Sequence, residues 1–451
     1  MYLSSFTFTV ALLPALLLCY YLVPAKGRGT VLLAASLLVY GWGSPARLLY
    51  LAACICYDYG VGLLLEHWQE KKALSTGLLA FSAIVQAGAM TAIRMVAADG
   101  TMYPFGIAIY TLHGLGYLIG IYRGRYKAAA RFDVLALYLA FFPALFAGPL
   151  MNYQEFTDQL EDRRCNVIQL GDGLALFIRG LAEKVVLADT FGYMYRELRQ
   201  TGTLSMLTAW LTTLSFSLYL YFELFGYSEM ARGLGRAFGF DLPRNFSQPF
   251  FCTSITAFMQ SWNITLLLWF QTNFRYFLFG PHPRRRWQKY LALVLTWILI
   301  GAWYGTAPQF ALWGLTIGLL VTLDQTVLTP LFGKRWLPGL AVTGILLQFA
   351  WVLFYADDLG EVGAVWRAML GLGSGFVDQT GLYFFTSYIA LLLLGLYIAT
   401  DQFRNIAERL SATAVGRFIE SWQPVLHGLL LVFCIASMLY GERMTGLWLH
   451  I

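Results

Sequence analysis

Four carboxylates and one histidine stand inside apolar stretches, where charge is costly. His113 sits in TLHGLGY at 111–117, and Glu223 and Glu229 sit in YFELFGYSEM at 221–230. Asp58 lies in CYDYG at 56–60, and Asp324 in VTLDQT at 321–326. Histidine titrates near about 6.5 and accepts a proton at neutral pH. A carboxylate in an apolar pocket is tuned towards neutrality and then acts as a base. Ionisable groups within a bilayer are rare and mark functional positions by default. Each residue also has a plainer use. His113 can hydrogen-bond a neighbouring helix, and Glu223 and Glu229 can pair with Arg232 or Arg236. Asp58 and Asp324 can tie helices together. The densest basic run is His282-Pro283-Arg284-Arg285-Arg286, followed by Lys289. Such a run holds a loop in the cytoplasm and contacts anionic lipid.

The elements that carry these residues follow from composition. Of 451 residues, 58% are hydrophobic and only 12% are charged. The charged share is about half of the roughly 25% usual in globular proteins. A soluble fold of this size lacks the charge to cover its surface. Disorder needs the opposite composition. The net charge of +6 is modest and sits in short loops, which argues against a nucleic-acid partner. There is no Walker motif and no dinucleotide fingerprint. The six cysteines show no metal-ligand spacing, so neither a disulfide framework nor a zinc site is expected.

Apolar runs long enough to cross a bilayer, about 17–25 residues, recur from 6–24 to 424–441. Among them are 134–150, 173–188, 204–222, 288–304 and 309–330. Length predicts roughly eleven spans. The runs are continuous rather than alternating, so they are helices and not barrel strands. The fold class is therefore all-α: a polytopic transmembrane helical domain with re-entrant or interfacial helices around a central cavity. No repeat or linker divides it, and 1–451 reads as one domain.

The first basic residue, Lys26, follows the first apolar run, so that run is expected to be a retained span rather than a signal peptide. Lys26 and Arg28, Lys71 and Lys72, and the basic set Arg123, Arg125, Lys127 and Arg131 follow alternate spans. Positive loops stay in the cytoplasm. The expectation is a multi-pass protein of the cell membrane with its N-terminus outside and membrane lipid around it.

Two segments break the pattern. Residues 152–172 mix charge with scattered apolar positions and read as an interfacial helix or loop. Residues 244–287 are too polar to face lipid and too apolar for a solvated loop. They read as re-entrant or interfacial structure lining a cavity. Asn263, Asn273, Arg275 and Tyr304 are too polar to face lipid together, so 250–280 and 299–318 are expected to line one polar chamber.

Six segments, in order, carry a resemblance. They are PFGIAIYTLHGLGYLIGIYRG at 104–124, FFPALFAGP at 141–149, GLAEKVVLAD at 180–189, YFELFGYSEMARGLGRAFGFDLPRNFSQPF at 221–250, TSITAFMQSWNITLLLWF at 253–270 and GAWYGTAPQFALWGLTIGLL at 301–320. The chain resembles the membrane-bound O-acyltransferase family. It is most similar to the bacterial branch of alginate O-acetyltransferases and teichoic-acid D-alanyl transfer proteins. The resemblance covers about two-thirds of the chain.

It implies transfer of an acyl group, by this branch acetyl, from a cytoplasmic thioester to a hydroxyl of an extracytoplasmic polysaccharide. The implied donor is acetyl-CoA or an acyl-carrier thioester, with no tightly bound cofactor and no metal. Arg284, Arg285 and Arg286 would then be candidate contacts for the donor's phosphates. An extracytoplasmic acyltransferase-like or hydrolase-like partner also fits the pattern.

The departures are as specific as the matches. Family members usually carry Trp-His-Gly, with the catalytic histidine, where this chain has Trp303-Tyr304-Gly305. They usually carry Trp-His where it has Trp262-Asn263, and a third histidine matches Ile317. The family's aspartates in the fourth segment are Glu223 and Glu229 here. A phenol titrates near about 10, so about one in a thousand is ionised at neutral pH. Asn263 cannot take a proton at all. The candidate site is thus Tyr304 and Asn263, with His113 and Glu223 as alternative bases. A poor acyltransferase, or a catalytically silent member that binds a donor, lipid or partner, is the expectation. A transporter of another class would show inverted repeats, and none is visible.

Overall fold

The computed structural model describes residues 2–96, 106–163, 165–202, 204–279, 285–332, 335–400 and 413–440, without the side chains of 275–279, of residue 440 and of several residues at 414–420. The described residues are 81% helix, with no strands. Six helices are long and apolar enough to cross a membrane: Ala46–His67, Lys72–Val96, Pro308–Phe332, Trp336–Tyr355, Gln379–Ala399 and Ser421–Leu439. Thr7–Leu22 and Ile107–Tyr122 are shorter apolar helices. The protein is an all-α, multi-pass membrane protein.

The helices fall into two compact units that interleave in sequence. One comprises Met1–Leu181 with Tyr227–Arg244. It holds α1 (Leu13–Leu22), α2 (Arg28–Gly41), α3 (Ala46–His67), α4 (Lys72–Val96), α5 (Ile107–Tyr122), α6 (Phe132–Ala140), α7 (Phe142–Leu145), α8 (Tyr153–Glu161) and α9 (Val167–Ala182). The run expected as one span at 134–150 is two helices, broken at Phe141. Pro143 is the reason: as a helix interior residue it would clash with the carbonyl of Leu139 and leave it unbonded. The break is secured by Ser36, whose Oγ accepts from Phe142 N at 3.1 Å. The segment at 152–172 forms α8, whose Tyr153 and Phe156 are buried while its acidic side chains face outward.

The other unit comprises Ala182–Gly226 and the residues from Asn245 onward. It begins with a π-helical turn, Glu183–Ala188, leading into α10 (Asp189–Gln200). The run at 204–222 grows into α11, Met206–Ala237, 32 residues long. Its continuation from Tyr227 belongs to the first unit; it is charged, and an i,i+3 pair between Glu229 and Arg232 at 2.6 Å sustains it. Gly239, at φ 87°, follows the helix's end. Tyr20 Oη donates to the carbonyl of Phe238 at 2.6 Å and Tyr21 Oη to that of Ala237 at 2.8 Å. These bonds satisfy terminal acceptors that would otherwise be orphaned.

The mixed segment at 244–287 resolves into two helices, α12 (Ile255–Gln260) and α13 (Ile264–Phe279). Then come α14 (Arg286–Tyr304), α15 (Pro308–Leu323), a π-turn at Asp324–Leu328, α16 (Thr329–Phe332) and α17 (Trp336–Tyr355). The remainder is α18 (Leu359–Met369), α19 (Gln379–Ala399) and α20 (Ala414–Tyr440). Helices α14 and α15 are an antiparallel hairpin with their backbones in contact. A Cβ on Gly301 or Gly314 would run into the carbonyl oxygen of Phe310 or Trp297 across the seam. Small residues permit this close approach in membrane helices.

Candidate functional site

Tyr304 is the last residue of α14, and Asn263 is the residue before α13. The fold brings them together: Asn263 Nδ2 donates to Tyr304 Oη at 3.1 Å. Each is held by its own local structure. Asn263 adopts φ 43°, in the left-handed region, which asparagine tolerates better than most residues. The turn is fixed from behind by Asn245, whose backbone carbonyl accepts from Ile264 N at 2.8 Å. Its Oδ1 accepts from Thr265 N at 3.2 Å. Tyr304 is held by aromatic rings, with centroids at 5.2 Å to Trp303, 5.3 Å to Phe354 and 5.8 Å to Trp313. Trp351 stacks on Trp313 at 5.6 Å and meets Trp262 at 5.2 Å, continuing the cluster.

The chemistry of this pair is that of a donor. The phenol oxygen accepts from Asn263, so the phenol proton points to something else, such as a carbonyl or an oxyanion. Neither group is a base at neutral pH.

The alternative bases are already engaged. His113 Nε2 accepts from the backbone N–H of Met151 at 3.3 Å. A neutral ring that accepts through Nε2 carries its proton on Nδ1, so the free lone pair a base needs is occupied. Tyr138 packs edge-on against it at 5.1 Å. Glu223 is fully buried, and its Oε2 lies 2.9 Å from Lys184 Nζ. Lys184 also donates to Asp189 Oδ1 at 2.6 Å. The pairing of Glu223 with Arg232 or Arg236 therefore does not form. Nine helical residues separate Glu223 from Arg232, which turns the two to opposite sides of α11. Arg232 pairs with Glu229 instead, and Arg236 with Asp172 at 3.0 Å.

The two remaining carboxylates act as ties between elements. Asp58 accepts from Gln86 Nε2 at 2.7 Å and from the Cys54 thiol at 3.5 Å. Asp324 accepts from Thr256 N at 2.9 Å and from Thr329 Oγ1 at 3.2 Å. It thereby caps α12 from the π-turn after α15, while Ser254 Oγ takes the next amide, Ala257 N, at 3.1 Å.

Arg285 and Arg286 begin α14, with Arg285 N bonded to Gln288 Oε1 at 3.0 Å. Arg284 and His282 lie outside the described residues, as does the side chain of Arg275. Residues 286 and 304 are the two ends of α14, about 27 Å apart at about 1.5 Å per residue. That is close to the hydrocarbon thickness of a bilayer, about 30 Å. The arginines and Tyr304 thus occupy opposite ends of one helix. Among the described residues no group of three or more His, Cys, Asp or Glu is placed to hold a metal ion.

Lys184 is the charged residue that inspection of the sequence passed over. Its signal was present: a lysine inside LAEKVVLA, five residues before Asp189, has to find an anion if that run is buried.

Comparison with known proteins adds an independent line. A family model described as MBOAT, the membrane-bound O-acyltransferase family, matches residues 132–356. That interval contains Lys184, Glu223, Asn263 and Tyr304. The chain is 28% identical over 468 residues to a Pseudomonas putida protein named "Probable alginate O-acetylase AlgI", covering 97% of this chain and 96% of that one. It is 27% identical over 421 residues to a Helicobacter pylori peptidoglycan O-acetyltransferase, covering 81% and 79%. It is 26% identical over 264 residues to a Bacillus subtilis teichoic acid D-alanyltransferase, covering 55% and 66%.

Proposed function

Since this chain belongs to the membrane-bound O-acyltransferase family, we propose that it serves the O-acylation of an extracytoplasmic polysaccharide, with Asn263 and Tyr304 at the locus of transfer. The supporting observation is their 3.1 Å hydrogen bond, which joins two sequence motifs 41 residues apart. Relatives named for alginate and peptidoglycan O-acetylation support acetyl as the acyl group. The donor is a cytoplasmic thioester, acetyl-CoA or an acyl-carrier protein. The N-terminus lies outside, and an extracytoplasmic partner completes delivery to the glycan.

In the transfer itself the acceptor hydroxyl attacks the thioester carbonyl. A C–O bond forms, the C–S bond breaks, and the hydroxyl proton ends on the departing sulfur. Tyr304 donates to the carbonyl oxygen as it gains charge. Among the described residues the candidate bases His113 and Glu223 are engaged elsewhere, and loss of a positioned base costs about 10²–10⁴-fold in rate. Arg285 and Arg286 stand at the end of α14 opposite Tyr304, the end this reading makes cytoplasmic. A donor whose phosphates rested there would have to reach about 27 Å along the helix to Tyr304.

The engagement of His113 with Met151 and of Glu223 with Lys184 favours a second reading. In it the chain is catalytically silent and holds donor, acceptor or partner for a second enzyme.

The test is transfer of a labelled acetyl group to polysaccharide in cells lacking related enzymes. Weak transfer that Tyr304→His raises by about 10²–10⁴-fold supports the first reading. Absence of transfer, with Tyr304→His still inactive, supports the second. Robust transfer that is lost in His113→Ala or Glu223→Gln, and indifferent to Tyr304→Phe, overturns both.

A further inference from the structure

The connection between α18 and α19, within the second unit, exposes bulky apolar side chains. Leu370, Leu372, Phe376 and Val377 are between 60% and 71% exposed. Large apolar groups gathered in one exposed stretch mark a surface that meets something other than water.

The loop is held rigidly. The carbonyls of Gly375 and Phe376 accept from Met206 N and Leu207 N at 2.9 and 3.0 Å, and Ser374 N donates to the carbonyl of Leu204 at 3.2 Å. The approach is so close that a Cβ on Gly373 would run into that same carbonyl oxygen. Gly371 turns the chain at φ 80°, where glycine goes without strain. Asp378 then accepts from Thr208 Oγ1 at 2.8 Å and caps α19 through Gly381 N at 2.6 Å. The start of α11 is thus a fixed bed for the loop, and the four apolar side chains stay on the surface.

Two observations say what covers them. The first is their level. Helix α19 is one of the candidate spans and has 21 residues, which is about 31 Å at about 1.5 Å per residue. The hydrocarbon of a bilayer is about 30 Å thick. Gln379 therefore stands at the edge of the hydrocarbon, and the loop just before it stands among the headgroups. The second is continuity. Leu382 and Tyr383, in the first turns of the span, are 50% and 63% exposed and face lipid. Between Arg367 and Asp401 the sequence has one charged residue, Asp378, and its carboxylate is taken up by the cap. The lipid-facing surface of α19 therefore runs on into the loop without a charged border.

The same contacts fix which leaflet this is. Tyr355 Oη lies 3.1 Å from Thr213 Oγ1, and Phe354 packs against Tyr304 at 5.3 Å. Thr208 and Thr213 are five residues apart on α11, or about 7.5 Å. The loop lies at the Tyr304 end of the unit.

We propose that 370–377 is a lipid anchor. Leu370, Leu372, Phe376 and Val377 enter the boundary between headgroups and acyl chains, in the leaflet on the Tyr304 side, and hold that end of the unit at a set depth. The partner is the bilayer itself. The anchor does not depend on whether Asn263 and Tyr304 transfer an acyl group.

The test places a bimane probe on Leu372→Cys or Phe376→Cys, in the full chain otherwise free of cysteine, in phosphatidylcholine nanodiscs. Lipids brominated near the glycerol should quench both probes, more than lipids brominated near the chain end, and aqueous iodide should leave them unquenched. Adding Phe376→Glu to the chain probed at 372 should shift quenching from lipid to iodide while the unfolding midpoint in detergent stays unchanged. Iodide quenching without lipid quenching in the unmodified loop overturns the proposal and leaves the surface to a protein partner. Stronger quenching from the chain end overturns it too, since the loop would then lie inside the hydrocarbon. So does lipid quenching that persists in folded Phe376→Glu.

Discussion

Lys184 stands between two carboxylates, 2.9 Å from Glu223 and 2.6 Å from Asp189, with its own side chain only 6% exposed. The asymmetry of this arrangement sets an order of damage. Lys184→Met leaves the fully buried Glu223 facing Asp189 and should cost about 3–5 kcal/mol. Glu223→Gln leaves Lys184 with Asp189 and should cost less. Thermal unfolding in detergent measures both, and the reverse order would show that Lys184 is not the hub.

Asn263 tests backbone and side chain separately. Its φ of 43° suits asparagine and glycine. Asn263→Gly loses only the bond to Tyr304 and should cost about 1 kcal/mol. Asn263→Val adds backbone strain of about 1–3 kcal/mol. Equal unfolding midpoints for the two variants would contradict this.

Asp324→Ala should loosen α12 locally. It removes the acceptor for Thr256 N, worth about 0.5–2 kcal/mol for a helix cap. Hydrogen exchange should speed up at residues 255–260 and stay unchanged in α17. Uniform acceleration along the chain would mean a global role instead.

Single cysteines at 25–29, 66–73 and 123–133, in a chain otherwise free of cysteine, should resist impermeant thiol reagents applied from outside. These loops carry eight of the ten basic residues before residue 132, and positive loops stay in the cytoplasm. Ready labelling at two of the three would reverse the orientation.

Helix positions were legible because apolar length is what a bilayer selects. The runs at 48–65, 338–355 and 381–399 became α3, α17 and α19 with ends shifted by about two residues. The break at Phe141 was also written in the sequence, as Pro143. The meeting of Asn263 with Tyr304 was legible only coarsely, as polar groups that had to share protein surroundings. Partner choice was not legible. Glu223 had arginines nine and thirteen residues ahead on its own helix, yet it bonds a lysine 39 residues behind, from a different element. The π-turns at 183–188 and 324–328 left no periodic trace, because each adds one residue to an otherwise continuous helix.

The bond from Thr256 to Asp324 spans 68 residues and runs backwards along the direction of synthesis. Helix α12 has six residues and is too short to commit to a place on its own. Its cap emerges from the ribosome about 3–14 s after it, at about 5–20 residues per second. For that interval the segment waits, while α13, α14 and α15 are delivered to the membrane. A chain stalled before Asp324 therefore carries Asn263 and Tyr304 without the clamp on α12, the helix that ends three residues before Asn263.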